Sequence, residues 1–98
     1  MDVVFIAEYS SGFGLFECMD DVMPGILYAR YPTLELAKEA AERRRSGRAG
    51  LNWDAPSVEE ATYAEPLANM LGKGESFKLR LVLRGIEWPS KELRELPG

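Results

Sequence analysis

The chain has 98 residues and a formal net charge of −4. This length fits one small domain, because a domain usually takes roughly 100 to 200 residues, and it excludes a two-domain enzyme. A hydrophobic content of 46% and a charged content of 29% are typical of a folded globular chain and exclude a disordered one. We therefore expect a single domain over residues 1–98, with residues 89–98 as a C-terminal tail.

The residue types exclude much catalytic chemistry. The sequence has no histidine and one cysteine, Cys18, so it cannot form a Ser-His-Asp or Cys-His pair, a histidine-based zinc site or an internal disulfide. Cys18 lies in an apolar stretch without an adjacent base, which favours a core residue over a nucleophile. We expect no enzymatic activity, no cofactor and no metal.

The start of the chain indicates a cytoplasmic protein. An acidic residue follows Met1, where a signal peptide would need basic ones. The apolar run at residues 3–7 is far shorter than the roughly 20 residues that cross a bilayer. A lone cysteine also suits a reducing compartment. We expect no membrane segment.

Three strands are predicted in the first third of the chain. Residues 3–9 are β-branched and aromatic with almost no polar interruption, which predicts a central strand buried on both faces. Two glycines within residues 10–14 indicate a turn into a second strand at residues 15–19. A Pro-Gly turn at residues 24–25 then leads to a third strand at residues 26–31.

Two helices are predicted next. Thr33 is a suitable N-cap for an alanine-rich helix that continues into the arginines at its end. Ser57 and Glu60 match a capping box, which indicates the start of a second helix. Pro66 lacks a backbone donor and is expected to break that helix into two pieces.

The last strand is predicted from strict alternation over residues 77–83. The order β-β-β-α-(α)-β predicts an α+β fold, in which one or two helices pack on one face of an antiparallel sheet of three to four strands. The uncovered face would then carry the basic residues of this strand. The alternation assigns one face to Phe77, Leu79, Leu81 and Leu83 and the other to Lys78, Arg80, Val82 and Arg84.

The net charge hides a segregated pattern. Residues 1–29 carry −5, residues 30–50 carry +3, residues 51–76 carry −4 and the remainder carries +2. Patches of one sign attract charged partners, so the sequence predicts separate acidic and basic surfaces.

The predicted acidic patch is a docking site for a basic partner. Its carboxylates do not have the spacing of a calcium loop, and a solvated turn is the simpler interpretation of those near residue 20. The patch consists of Glu17, Asp20, Asp21, Glu59 and Glu60.

The predicted basic patch combines arginines with Trp53, a combination that contacts nucleic acid or an acidic protein. A structural interpretation is also open: the helix-end arginines would pair with Glu39 and Glu42, and Trp53 would cover the core. The acidic character of the whole chain argues against nucleic acid. The basic residues are Arg43, Arg44, Arg45, Arg48, Lys78, Arg80 and Arg84.

These patterns together predict a small interaction protein, an inhibitor, adaptor or regulator that docks a charged surface on a macromolecular partner. Compact acidic domains of this class include phage-encoded inhibitors of host machinery. The alternative is a nucleic-acid-binding module that uses the Arg43–Arg48 cluster and the basic face of strand 77–84. Because a domain this small has little core, homodimerisation would also support it.

Overall fold

A computed structural model describes residues 2–18, 26–44 and 52–86 of the chain. The predicted α+β fold and the predicted order of elements are confirmed, with four strands in one antiparallel sheet of order β3-β2-β1-β4. The predicted turn at residues 24–25 and the tail at 89–98 lie outside the described residues. The elements are β1 (Asp2–Tyr9), β2 (Gly12–Cys18), β3 (Ile26–Tyr31), α1 (Leu34–Arg44), α2 (Val58–Gly72) and β4 (Phe77–Ile86).

The two helices lie on opposite faces of the sheet. On one face, the alanines of α1 pack in one cluster with Val4 and Ile6 of β1. On the other face, Ala64 and Leu67 of α2 pack in a cluster with Phe5. The predicted packing of the helices on one face therefore needs correction, and the fold has three layers. Consecutive apolar residues in β1 point to both faces, so each face needs its own cover. We call these faces the α1 side and the α2 side.

Strand β4 contains a bulge that changes which residues face each helix. Leu79 pairs with Ala7 and Leu81 pairs with Ile6, so Arg80 has no partner in the register with β1. Leu79 contacts the core on the α2 side, whereas Leu81 contacts the core on the α1 side. The predicted single apolar face of this strand is therefore wrong. The bulge lets one strand supply apolar side chains to both cores.

Both helices begin at the predicted caps. The backbone N–H of Leu36 donates to the hydroxyl oxygen of Thr33 at 3.2 Å. In α2, the N–H of Glu60 donates to the Ser57 hydroxyl at 3.1 Å, and the N–H of Ser57 donates to the Glu60 carboxylate at 2.8 Å. These bonds satisfy donors that have no partner within a helix.

Helix α2 continues through Pro66, contrary to the predicted break. Pro66 lies on the exposed side of the helix, and residues on both sides of it are buried: Ala64 before it, and Leu67 and Ala68 after it. The capping box fixes the start, and Lys73 ends the helix in the left-handed conformation at φ 50°. Burial along the helix therefore outweighs the roughly 3 kcal/mol that an internal proline costs.

Candidate functional site

Arg30 connects the end of the β1–β2 hairpin to the C-terminal end of α2 through hydrogen bonds and an ion pair. Its guanidinium donates to the Glu75 carboxylate and to the Leu71 carbonyl, each at 3.1 Å, and lies 4.3 Å from the centre of the Tyr9 ring. The Ser10 hydroxyl donates to the same carboxylate at 2.8 Å. Burial raises the pKa of the Tyr9 phenol, and the nearby Arg30 charge opposes that rise. This cluster joins three elements and is structural.

Arg84 joins members of the predicted acidic and basic patches. Its guanidinium donates to both carboxylate oxygens of Glu60, and its Nη1 donates to the Asp54 carboxylate at 3.0 Å. The hydrogen bonds from Arg84 are the main reason why the pKa of Glu60 falls to about 2, and the same contacts raise the pKa of Arg84. Glu60 and Arg84 therefore compensate each other's charge instead of serving separate surfaces.

The Glu60–Arg84 pair makes stability depend on pH in a defined direction. Because the pKa of Glu60 is lower in the folded state than its ordinary value of 4.5, the pair stabilises the fold above about pH 4.5. That contribution is lost as the pH falls from about 4.5 to about 2. Arg84 is 40% exposed and water screens the pair. We therefore expect Glu60→Gln to cost about 1–2 kcal/mol at neutral pH.

Urea unfolding between pH 7 and pH 2 measures this effect. The difference between wild type and Glu60→Gln should shrink toward pH 2. Glu65→Gln, an exposed position on the same helix, is the control for the loss of a carboxylate that does not bind Arg84. A constant difference across the range would contradict the assigned role of Glu60.

The predicted basic face of residues 77–84 does not exist as one surface. Arg80 donates to the Glu8 carboxylate, and Lys78 stands opposite Glu8 in the sheet register. Arg84 follows the bulge in β4, near the start of α2, and forms ion pairs with Asp54 and Glu60. The bulge separates these cations, and neighbouring carboxylates compensate both arginines.

The described members of the predicted acidic patch lie apart. Glu17 is 1% exposed and pairs with Val4 in the sheet, so it cannot belong to a surface patch. Glu59 is exposed in the first turn of α2, next to Glu60, which binds Arg84. The predicted surface with Glu17 therefore needs correction, because strand alternation turns this side chain inward. Asp20 and Asp21 lie outside the described residues.

Cys18 is buried, as expected for a core residue. Burial, assisted by the charge of Glu17, raises the pKa of its thiol to about 11. The thiol is therefore protonated at neutral pH and is a poor nucleophile.

The arginine cluster at the end of α1 is described only in part. Arg43 is exposed in the last turn of the helix, and Arg44 is the last helical residue. Arg45 and Arg48 lie outside the described residues.

A groove of about 630 Å³ lies beside Trp53, between α1 and residues 52–54. Residues 52–54 form its wall because Asp54 and Val82 exchange two backbone hydrogen bonds, at 2.9 and 2.7 Å. Trp53 packs against the core on the α1 side, and its buried indole N–H has no hydrogen-bond partner in the described part of the chain. The groove is lined by Lys38, Glu42, Asn52, Trp53 and Asp54.

The groove offers a carboxylate and an aromatic surface to a cationic group. The carboxylate is that of Glu42 and the aromatic surface is the indole of Trp53, while Lys38 adds one positive charge. The carboxylate of Asp54 accepts a hydrogen bond from Arg84 and is compensated there. A guanidinium stacks on an indole and donates to carboxylates, a combination that suits arginine. We call this feature the Trp53 groove.

The sequence placed Trp53 either with the basic residues or over the core, and in the structure it packs against the core on the α1 side. The other residues of the groove were not predicted. Lys38 and Glu42 stand four residues apart on α1, which places them on one side of the helix. No sequence pattern shows that Asp54 pairs with Val82, and that pairing brings the loop to the helix.

No protein-family model matches the chain, and no curated protein or solved structure matches it. Neither described helix is long and apolar enough to cross a bilayer. Within residues 2–18, 26–44 and 52–86, no three Cys, Asp or Glu side chains are grouped to hold a metal ion.

Proposed function

We propose that this protein is a non-enzymatic interaction module that binds a basic surface of another protein through the Trp53 groove. The observation that carries this proposal is the juxtaposition of the Trp53 indole with the Glu42 carboxylate in a concave site. An arginine of the partner would stack on Trp53 and donate to Glu42. By occupying that surface, the protein would act as an inhibitor, adaptor or regulator.

The distribution of compensated charge supports a basic partner over nucleic acid. Arg30, Arg80 and Arg84 each form an ion pair within the chain. Nucleic-acid binding through the last strand would have to break the pairs of Arg80 and Arg84. This alternative therefore depends on the Arg43–Arg48 cluster alone.

A short peptide with one arginine tests the groove directly. Trp88→Phe leaves Trp53 as the only indole, so its fluorescence reports on the site. We expect the arginine peptide to change this fluorescence with a saturable dependence on concentration. A peptide with citrulline, which has nearly the same shape without the charge, should bind more weakly.

Two matched variants locate the binding site on α1. Glu42→Gln removes a groove carboxylate and should weaken peptide binding about three- to fivefold, as expected for one partly exposed ion pair. Glu39→Gln makes the same change on the exposed side of the helix and should leave binding unchanged. Equal affinity for the two peptides, or equal effects of the two variants, would contradict the proposal.

The natural partner can be sought by affinity capture from the native host. Wild type and Glu42→Lys should differ in the proteins that they retain, because the variant reverses a groove charge. A protein retained only by the wild type is the candidate, and its basic segment should compete with the arginine peptide. The same set of proteins on both baits would contradict a role for the groove.

A further inference from the structure

The outer face of α2 carries an exposed apolar stripe. The stripe consists of Tyr63, Pro66 and Met70, and we call it the α2 stripe. Tyr63 is 39% exposed and Met70 is 60% exposed. Pro66 is also exposed. Intervals of three and four residues place the stripe along one line of the helix, the spacing of a helix–helix seam. Glu59 and Lys73 are exposed at its two ends.

The stripe exposes apolar surface beside the face of α2 that packs on the sheet. Helix α2 packs on the sheet through Ala64, Leu67 and Ala68, which lie beside the stripe on the helix surface. Tyr63 makes an edge-to-face contact with Phe5, at 6.0 Å between ring centres, and part of its ring remains exposed. Large apolar side chains grouped on a surface mark an interaction site.

We propose that the α2 stripe binds the α2 stripe of a second copy of this chain, with the two helices antiparallel. The argument is charge complementarity: Glu59 and Lys73 lie seven residues before and seven residues after Pro66. A two-fold axis at Pro66 therefore places Glu59 of each copy opposite Lys73 of the other. Such a surface is self-complementary, as a symmetric dimer interface must be.

The size of the contact sets the strength of the dimer. A helix of 15 residues is about 22 Å long, so one helix pair forms a contact at the small end of specific interfaces. The dimer is therefore weak, and monomer and dimer exchange as the concentration changes. This surface is distinct from the Trp53 groove, which lies on the α1 side of the sheet.

Sedimentation equilibrium over a wide range of concentrations tests the dimer. Wild type should show a monomer–dimer equilibrium. Glu59→Lys and Lys73→Glu should each be monomeric alone, because each variant places like charges opposite each other at both ends of the helix pair. An equimolar mixture of the two variants should form a heterodimer, because both end contacts then join opposite charges.

Two further variants complete the test. Met70→Glu places a charge in the seam and should abolish association. Glu65→Lys changes a charge on the same helix outside the stripe and should leave association unchanged. Far-UV circular dichroism confirms that each variant remains folded. A monomeric wild type at every concentration, a dimer that survives Met70→Glu, or a mixture that stays monomeric would overturn the proposal.

Discussion

Gly12→Ala is expected to lower the free energy of unfolding by about 3 kcal/mol or more. Gly12 follows the turn between β1 and β2 and has a φ of 135°, a conformation that side chains other than glycine rarely adopt. A Cβ atom there would also lie 2.7 Å from the backbone carbonyl oxygen of Tyr31. Because that oxygen belongs to the neighbouring strand, relief requires β2 and β3 to move apart.

Gly74→Ala is a matched control for this prediction. Gly74 also has a positive φ, 90°, but a Cβ atom there would have no atom within 4 Å. We expect it to cost only the backbone strain, about 1–2 kcal/mol. Chemical unfolding of both variants measures the difference between them, which reports the clash with Tyr31. Equal losses would show that β3 accommodates a methyl group at Gly12.

Phe5→Ala is expected to cost about 3–5 kcal/mol, a large part of the stability of a domain this small. Phe5 is fully buried in the central strand. Its ring stacks on Phe16 at 5.7 Å and meets the edge of Tyr63 at 6.0 Å, both measured between ring centres. Removing the ring leaves a cavity that a sheet covered on both faces cannot close.

Phe13→Ala provides the comparison for Phe5→Ala. Phe13 is only partly buried and lies at the margin of the core on the α1 side. Water can replace part of its contacts, so we expect a loss of about 1–2 kcal/mol. Urea unfolding followed by circular dichroism measures both variants. A loss for Phe13→Ala as large as that for Phe5→Ala would contradict the assigned difference in burial.

Local signals in the sequence predicted most of the elements. Thr33 and Ser57 start helices because their hydroxyls accept bonds from backbone N–H groups only a few residues away. The continuous apolar run around Phe5 predicted a strand buried on both faces, and β1 is that strand. Interactions of this kind join residues that are close in the chain, so they can be predicted from the local sequence.

The features that sequence reasoning missed depend on distant partners. The bulge at Arg80 exists because β4 pairs with β1, more than seventy residues away in the chain. Helix α2 passes through Pro66 because residues beyond the proline are buried against the sheet. Neither partner is visible in the pattern around Arg80 or Pro66. The burial of β1 on both faces already implied a third layer.

The same difference between local signals and long-range contacts applies to the candidate site. Trp53 drew attention because it follows the arginine cluster within a few residues, and its packing on the core agrees with the structural interpretation. The pairing of Asp54 with Val82 forms the wall of the groove, and it joins residues 28 positions apart without a motif. Segments of alternating net charge predicted separate acidic and basic patches. In the structure the guanidinium of Arg84 binds the carboxylate of Glu60, so the two charges compensate each other instead of contributing to separate patches. A count of charges along a chain does not show which of them pair.

The placement of the two helices on opposite faces of the sheet gives the molecule two independent sides. In a dimer joined through the α2 stripe, the two Trp53 grooves would lie on the sides that face away from the dimer interface. Such a dimer is bivalent. A target with two basic sites at a matching distance would be held by avidity, which raises apparent affinity about 100-fold or more without any new contact. The protein would then select repeated or oligomeric targets over single ones, and its own concentration would set that selectivity.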